Sequence, residues 1–217
     1  MKRLIMVALD WTRPKDPPMS LGHASILANL IKHGINVTEK SWSVNHENFE
    51  AEEVVDFVVA NSSKDSDFGI GAFVWNEIYV QKIIKSLKNA KFPGKIIIGG
   101  PQISYLKSDL EKYYPEADIF IRGYAENALT KYMMESTESF YPSIKGIHYS
   151  GTPDESESAQ ADLDDLPSPI LTGLIPAQNF IRWETQRGCP FRCSFCQHRE
   201  TSFGGEALKR RNFGEMR

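Results

Sequence analysis

The first 138 residues alternate between short apolar runs and longer amphipathic segments. Residues 4–9, 68–75 and 95–99 are short runs dominated by apolar side chains, which is typical of buried strands. In the segments between them, apolar residues recur every three or four positions, which predicts helices that bury one face. The other predicted strands are residues 35–42 and 118–122, and the predicted helices are residues 21–33, 49–60, 77–89, 104–114 and 126–135.

Five strands that each lead into a helix predict an α/β domain, in which helices cover both faces of a parallel sheet. We therefore expect a doubly wound, flavodoxin- or Rossmann-like fold with five parallel strands. Ligands of such sheets bind beyond the carboxyl ends of the strands, where the strand order reverses. The segments that follow predicted strands are residues 10–20, Trp75-Asn76, residues 99–104 and residues 123–126.

The pattern changes after residue 138. Residues 144–151 predict a small hairpin, and residues 152–165 are acidic, rich in serine and poor in apolar side chains, which is typical of a solvated linker. A further strand is expected at residues 180–185, directly before three cysteines. The predicted organisation is an α/β domain over residues 1–138, a hairpin and linker over 139–178, and a third segment over 179–217.

Composition narrows the class of protein. The chain has 217 residues, of which 41% are hydrophobic and 24% charged, values that are ordinary for a globular protein. The formal net charge of −3 gives no support to a basic nucleic-acid-binding surface. No apolar run approaches the ~20 residues that span a bilayer, so we expect no membrane partner. Cysteine usage favours a reduced, cytoplasmic protein, because three closely spaced cysteines are not a disulfide framework.

The three cysteines, Cys189, Cys193 and Cys196, are called the cysteine triad below. Their spacing lets three thiolates converge on one metal centre. Tetrahedral zinc would need a fourth ligand, and the nearby candidate, His198, lies only two residues beyond the last cysteine. A [4Fe–4S] cluster held by three cysteines leaves one iron open to a small molecule, which is the favoured interpretation. Structural zinc in a non-catalytic, flavodoxin-like binding module is the alternative, and three buried apolar cysteines are a weaker one.

The cysteine triad, with the aromatic Phe195 before its last member and the Arg-Gly lead-in at residues 187–188, resembles the cluster-binding loop of the radical S-adenosylmethionine enzymes. The preceding domain resembles the cobalamin-binding-type domain of one large subgroup. Three motifs carry that second resemblance, in the expected order: Trp75-Asn76, Gly99-Gly100-Pro101 and Gly123-Tyr124-Ala125-Glu126. Residues 163–169 resemble the linker of the same subgroup.

The resemblance implies that each cysteine of the triad ligates one iron and that S-adenosylmethionine chelates the fourth. Electrons from a donor such as flavodoxin or ferredoxin would then cleave S-adenosylmethionine to a 5′-deoxyadenosyl radical, with cobalamin as a candidate second cofactor. Phe195 and the three motifs would contact cofactors. The sequence indicates neither the substrate nor a catalytic residue.

Three features depart from the family pattern. No Asp-x-His-x-x-Gly motif follows the first strand, and His23 lies in the predicted first helix, so we expect no protein imidazole on cobalt. A complete barrel needs on the order of 200 residues, whereas 21 follow Cys196, so the chain alone is expected to be inactive. Gly204-Gly205-Glu206 stands too close to the triad to match the family's S-adenosylmethionine motif, and a turn is expected there.

Two of the implied cofactor contacts also have a structural interpretation. Gly99-Gly100 is compatible with either a tight turn or a close approach of a ligand to the backbone. Packing at the edge of the sheet is the favoured role for Trp75, with a stacking platform for a ligand as the alternative.

Overall fold

A computed structural model describes residues 2–136, 141–188, 194–195 and 209–210. The strands are β1 (Arg3–Asp10), β2 (Asn36–Ser43), β3 (Ser66–Gly71), β4 (Ile96–Gly99), β5 (Ile119–Ile121), β6 (Ile147–Tyr149), β7 (Gln186–Arg187) and β8 (Lys209–Arg210). The helices are α1 (Leu21–Lys32), α2 (Ala51–Asn61), α3 (Glu77–Asn89), α4 (Pro101–Tyr105), α5 (Leu110–Tyr113) and α6 (Ala125–Glu135).

The main sheet has the strand order β2-β1-β3-β4-β5-β6. The first five strands are parallel, which confirms the predicted doubly wound fold, and β6 joins β5 antiparallel. Strand β1 pairs with β2 on one side and with β3 on the other. The order in which the chain adds strands to the sheet therefore reverses at β1. In folds of this order the cleft between the carboxyl ends of β1 and β3 is the usual ligand site.

Side chains of β1 alternate between two apolar cores because successive residues of a strand point to opposite faces. Ile5, Val7 and Leu9 pack with α2 and α3 on one face, and Leu4 and Met6 pack with α1 and α6 on the other. Helix α3 begins and ends as predicted. The members of its apolar stripe are buried at the helical spacing, namely Val80, Ile83, Ile84 and Leu87.

The helix predicted over residues 104–114 is two short helices, α4 and α5. Between them, Leu106 has an extended backbone, and its carbonyl accepts hydrogen bonds from the Arg122 guanidinium instead of from a helical turn. Asp109, which precedes α5, is left-handed with φ at 63°. A contact from Arg122, directly after β5, thus replaces the bonds that would have continued one helix.

Two further predictions from pattern are wrong. Residues 144–151 do not form a hairpin, because Ile147–Tyr149 pairs with β5 and extends the main sheet. Residues 180–185 are not a strand; the pairing lies just beyond them, where Gln186–Arg187 meets Lys209–Arg210 antiparallel. The basic residues Lys209 and Arg210 are therefore in a short strand.

Residues 152–166, called the strap below, are only partly the solvated linker that composition predicts over residues 152–165. Residues 155–157 and 164–165 are exposed, but five side chains are buried, namely Ser158, Ala159, Ala161, Leu163 and Leu166. Asp154 forms a two-pronged ion pair with Arg122 at 2.6 and 2.7 Å. The strap therefore belongs to the packed structure around β5. Among the described helices, none has the length and apolar character needed to cross a membrane.

Candidate functional site

The carboxyl ends of β1 and β3 are joined by the side chain of Asn76. Its Nδ2 donates to the carbonyl oxygens of Leu9, at 2.9 Å, and Gly71, at 3.0 Å, while its Oδ1 accepts the Phe73 N–H at 2.8 Å. Asn76 is only 1% exposed. The amide is thus engaged within the protein, where it fixes the strand ends at the point of reversal, and a cofactor contact for Asn76 stays a prediction.

Trp75, the neighbour of Asn76 in the sequence, also binds the end of β1. Its ring stacks on Phe73, with centroids 4.6 Å apart, and its Nε1 donates to the Leu9 carbonyl at 3.1 Å. The side chain has packing partners, as the favoured interpretation expects, yet 40% of the residue remains exposed. The surface left exposed is therefore held in a fixed orientation at the end of β1.

Three other large apolar side chains are exposed in the segments that follow β1 and β3. They are Trp11, Val74 and Ile78, with exposed fractions of 58%, 80% and 79%. Isolated exposed apolar residues are common. These three and Trp75 make four in the two segments that follow the paired strands β1 and β3, which favours a binding surface there. We call these four residues the switch-point surface. Trp11 lies in a segment that the sequence pattern points to, residues 10–20, whereas Val74 and Ile78 were not predicted. The position of Ile78 outside the apolar stripe of α3 is a signal that could have been used.

The start of α1 borders the same end of β1. Burial raises the pKa of Asp10 above its ordinary value, although hydrogen bonds from Ser20 oppose this shift. His23 is engaged elsewhere, because its Nε2 lies 3.1 Å from Oε1 of Glu39 on β2, and that carboxylate also accepts from the Ser41 hydroxyl. The His23 side chain is nearly buried in this contact.

The Gly99-Gly100-Pro101 turn has a structural requirement of its own. Gly100 has φ at +97°, and a Cβ at this position would lie 2.6 Å from the Ala72 carbonyl oxygen. Ala72 also binds the turn, donating to the Gly99 carbonyl at 2.8 Å and accepting from Gln102 at 3.2 Å. Glycine is therefore needed at position 100 because the turn packs closely against the backbone of Ala72. A Cβ on Gly99 would meet only ordinary contacts.

The Gly123-to-Glu126 motif, at the end of β5, also contacts the chain itself. Gly123 has φ at +79°, and a Cβ there would collide with the backbone of Ala159 in the strap. Ala159 donates to the Arg122 carbonyl at 2.8 Å and accepts from Tyr124 at 3.0 Å. Gly123 and Ala159 form an isolated parallel β-bridge, so the strap lies alongside the residues just beyond β5.

Glu126 is buried, and its carboxylate binds the guanidinium of Arg187 through two hydrogen bonds of 2.5 and 3.1 Å. Arg187 also binds Glu184, at 2.9 and 3.0 Å, and lies over the Tyr124 ring at 4.5 Å. Burial lowers the pKa of Arg187, but its bonds to Glu126 and Glu184 outweigh burial and raise the pKa further above its ordinary value. A cofactor contact for Glu126 stays a prediction, and its pairing with Arg187 was not predicted from the sequence.

The cysteine triad, His198 and residues 204–206 lie outside the described residues. Phe195 is described and is 91% exposed. Within the residues that the structure describes, no group of histidine, cysteine, aspartate or glutamate side chains could hold a metal ion. The prediction that the triad holds a metal centre therefore rests on the spacing of the three cysteines and on the chemistry of their thiolates.

Comparison with known proteins identifies two curated relatives; no protein-family model matches the chain. A 2-(S-pantetheinyl)-carbapenam-3-carboxylate methyltransferase from Streptantibioticus cattleyicolor is 26% identical over 144 residues, covering 58% of this chain and 21% of the relative. The cobalamin-dependent radical SAM methyltransferase TokK from Streptomyces tokunonensis has the same identity and coverage. The chain thus spans about a fifth of the length of these relatives.

Solved structures of the cobalamin-dependent S-adenosylmethionine radical enzyme OxsB share the fold. One, with aqua-cobalamin and S-adenosylmethionine bound, has a TM-score of 0.68 at 16% identity and covers 100% of this chain and 30% of its own. The other, with aqua-cobalamin bound, has a TM-score of 0.67 at 15% identity, covering 99% of this chain and 30% of its own. These findings confirm the family resemblance: the relative TokK and the OxsB structures are named as cobalamin-dependent radical S-adenosylmethionine enzymes, both curated relatives are methyltransferases, and the chain is similar to a part of each.

Proposed function

We propose that the chain is the N-terminal part of a radical S-adenosylmethionine enzyme whose sheet domain binds cobalamin and whose cysteine triad holds a [4Fe–4S] cluster. The observation that carries the cobalamin assignment is the switch-point surface, four exposed apolar side chains at the carboxyl ends of β1 and β3. The names of the curated relatives favour methyl transfer as the reaction class.

The switch-point surface suits a corrinoid because the corrin ring is broad and has a largely apolar face. Covering apolar side chains contributes about 25 cal/mol for each Å² removed from water, so four large side chains provide a substantial part of the binding free energy. Trp75 is held by Phe73 and the Leu9 carbonyl before any ligand arrives, which limits the entropy lost on binding. The hydrogen bonds from Asn76 to the carbonyls of Leu9 and Gly71 keep the ends of β1 and β3 at a fixed separation.

The lower face of cobalt is expected to lack a protein imidazole. The segment between β1 and α1, residues 11–20, contains no histidine. His23, the next histidine along the chain, has its Nε2 directed to Glu39. Binding would then depend on the apolar surface and on backbone contacts, and not on a metal–nitrogen bond.

The role proposed for the triad is to hold three irons through thiolates and leave one open. The reduced cluster would supply the electron that cleaves S-adenosylmethionine to a 5′-deoxyadenosyl radical. An electron donor such as flavodoxin or ferredoxin is proposed as the partner. The contribution of this chain is position, since the triad follows Arg187, which is anchored to the sheet domain.

Titration of the chain with aqua-cobalamin, followed by its absorption spectrum, tests the cobalamin assignment. We expect saturable binding that Ile78→Ala weakens several-fold, because this substitution removes part of the switch-point surface. Ile31→Ala is the matched control: Ile31 is also an exposed isoleucine on a helix, but it lies at the far end of α1. Equal effects of the two substitutions would refute the assignment of the surface.

Anaerobic reconstitution with iron and sulfide tests the role of the triad. We expect close to four irons per chain, and we expect Cys193→Ala to abolish the cluster because two thiolates cannot hold it. Stoichiometric zinc after aerobic purification, together with no uptake of iron under reducing conditions, would favour the non-catalytic binding module.

A further inference from the structure

A buried ion pair forms where the sheet domain meets the segment that leads to the triad. Arg187 precedes Cys189 by two residues and is 7% exposed, while its partner Glu126 is 3% exposed. A buried ion pair 61 residues apart in the sequence joins the first turn of α6 to the start of the cysteine segment.

The geometry of this pair is fully specified from both sides. The Glu126 carboxylate receives two guanidinium bonds and a third from the Ser25 hydroxyl of α1, at 3.0 Å. The Arg187 guanidinium is shared between Glu126 and Glu184 and lies over the ring of Tyr124. Two planar groups that meet through parallel hydrogen bonds fix direction as well as distance.

Stability alone does not account for such a pair. The cost of removing both charges from water offsets most of their attraction, and apolar side chains of similar volume would often stabilise the fold as well. What apolar contacts would not provide is a defined orientation for the segment that carries the triad. Glu184 strengthens this argument because it lies on the same segment, three residues before Arg187, and binds the same guanidinium.

We propose that Glu126 and Arg187 are positioning residues that dock the start of the cysteine segment on the sheet domain. The inference rests on the proposed function in one respect: docking would set the orientation of the triad relative to the switch-point surface. In this interpretation the Gly123-to-Glu126 motif binds two later parts of its own chain. Gly123 admits the strap, and Glu126 holds Arg187.

Hydrogen–deuterium exchange on the 217-residue chain tests the proposal with four proteins: the wild type, Glu126→Gln, Arg187→Lys and Asp67→Asn. Removing one partner of a buried ion pair leaves the other charge buried and unpaired, which strongly destabilises the contact. Glu126→Gln should therefore speed the exchange of the amides at 185–188 by roughly 100-fold. Arg187→Lys retains the charge without the planar fork, and its effect should be of the order of tenfold.

Asp67→Asn is the matched control. Asp67 is also buried and binds Lys2 and Tyr132, but it lies on β3 at the opposite end of the strands. This substitution should affect β3 and leave the amides at 185–188 unchanged. Alkylation rates of the three thiols in the metal-free chain provide a second measurement, and we expect Glu126→Gln to change them and Asp67→Asn not to.

Two outcomes would overturn the proposal. One is wild-type exchange at residues 185–188 in Glu126→Gln while β3 and β4 remain protected. The other is an equal increase throughout the sheet, because the pair would then stabilise the fold without positioning the segment. A separate cobalamin titration keeps the proposed function distinguishable: a chain that bound no corrinoid would contradict that function and leave the exchange result standing.

Discussion

The carboxyl edge of the sheet has two halves that differ in what covers them. Beyond β1 and β3, large apolar side chains such as Val74 and Ile78 are left exposed. Beyond β5, the strap and Arg187 cover the backbone, and two ion pairs form there: Arg122 with Asp154, and Glu126 with Arg187. One half is open for a ligand, and the other is closed by the chain itself.

The difference changes how glycine motifs at strand ends are interpreted. Gly100 and Gly123 both have positive φ, and at both a Cβ would collide with this chain's own backbone, at Ala72 and Ala159. Neither glycine needs a ligand to explain it. Substituting Gly100 by valine would disturb the turn as well as any cofactor contact, so ligand binding is better tested through exposed side chains.

The largest effect is expected in the closed half. Arg122→Ala should lower the free energy of unfolding by about 3 kcal/mol, because it leaves Asp154 and the Leu106 carbonyl without the guanidinium that binds both. Urea unfolding measures the change. Lys82→Ala, which removes an exposed ion pair with Glu52, is the control and should have no measurable effect. Similar losses in the two variants would mean that the closed half is not held by Arg122.

A pH series should isolate the same contact with a smaller effect. Burial raises the pKa of Asp154, but the hydrogen bonds and charge of Arg122 outweigh it and hold the pKa below the ordinary value. A depressed pKa stabilises the fold above the ordinary aspartate value of about 4, and this stabilisation is lost as the pH falls through the lower folded value. The stability difference between the wild type and Asp154→Asn should therefore be constant from pH 7 to about 5 and shrink below pH 4. A constant difference down to pH 3 would contradict the assignment.

In the open half, Trp75→Ala should weaken cobalamin binding roughly tenfold, which corresponds to about 1.4 kcal/mol of lost apolar contact. Trp75→Phe keeps most of the apolar area but loses the bond to the Leu9 carbonyl, and should have a smaller effect. Absorption titrations measure both. Unchanged affinity in Trp75→Ala would restrict Trp75 to packing against Phe73.

The smallest effect is expected for His23→Ala. The imidazole binds Glu39 on β2, so the substitution should leave the cobalt spectrum and the affinity for cobalamin unchanged. A large spectral change would identify His23 as a cobalt ligand and would require α1 to move from its contact with β2.

Sequence patterns predicted the elements that local periodicity determines and failed where distant contacts decide. Helix α3 was predicted in full because its apolar stripe has one spacing throughout. The strand predicted over residues 68–75 ends at Gly71, since the apolar residues after it belong to the switch-point surface and the turn that Asn76 closes. The break between α4 and α5 depends on Arg122, which lies 16 residues from Leu106, and no local pattern contains it.

The site was predictable to a similar extent. Cysteine spacing is a local signal, so the sequence alone predicts the triad as a metal site, and this stays a prediction because the three cysteines lie outside the described residues. The motif at Gly123 and Glu126 was found, but its partners Ala159 and Arg187 come from segments 36 and 61 residues away. Alternation of apolar residues at Ala159, Ala161 and Leu163, all of them buried, was a usable signal for the strap, although its acidic composition concealed it.

The short strand β6 decides how the sheet domain can be produced by itself. It covers the outer edge of β5 by pairing Ile119 with Tyr149 and Ile121 with Ile147. A protein cut at residue 138, the end of the predicted domain, would leave the backbone donors and acceptors of β5 bare, and an unpaired apolar edge strand is a template for aggregation. We expect a fragment that ends there to self-associate, and one that continues past Tyr149 into the strap to stay monodisperse.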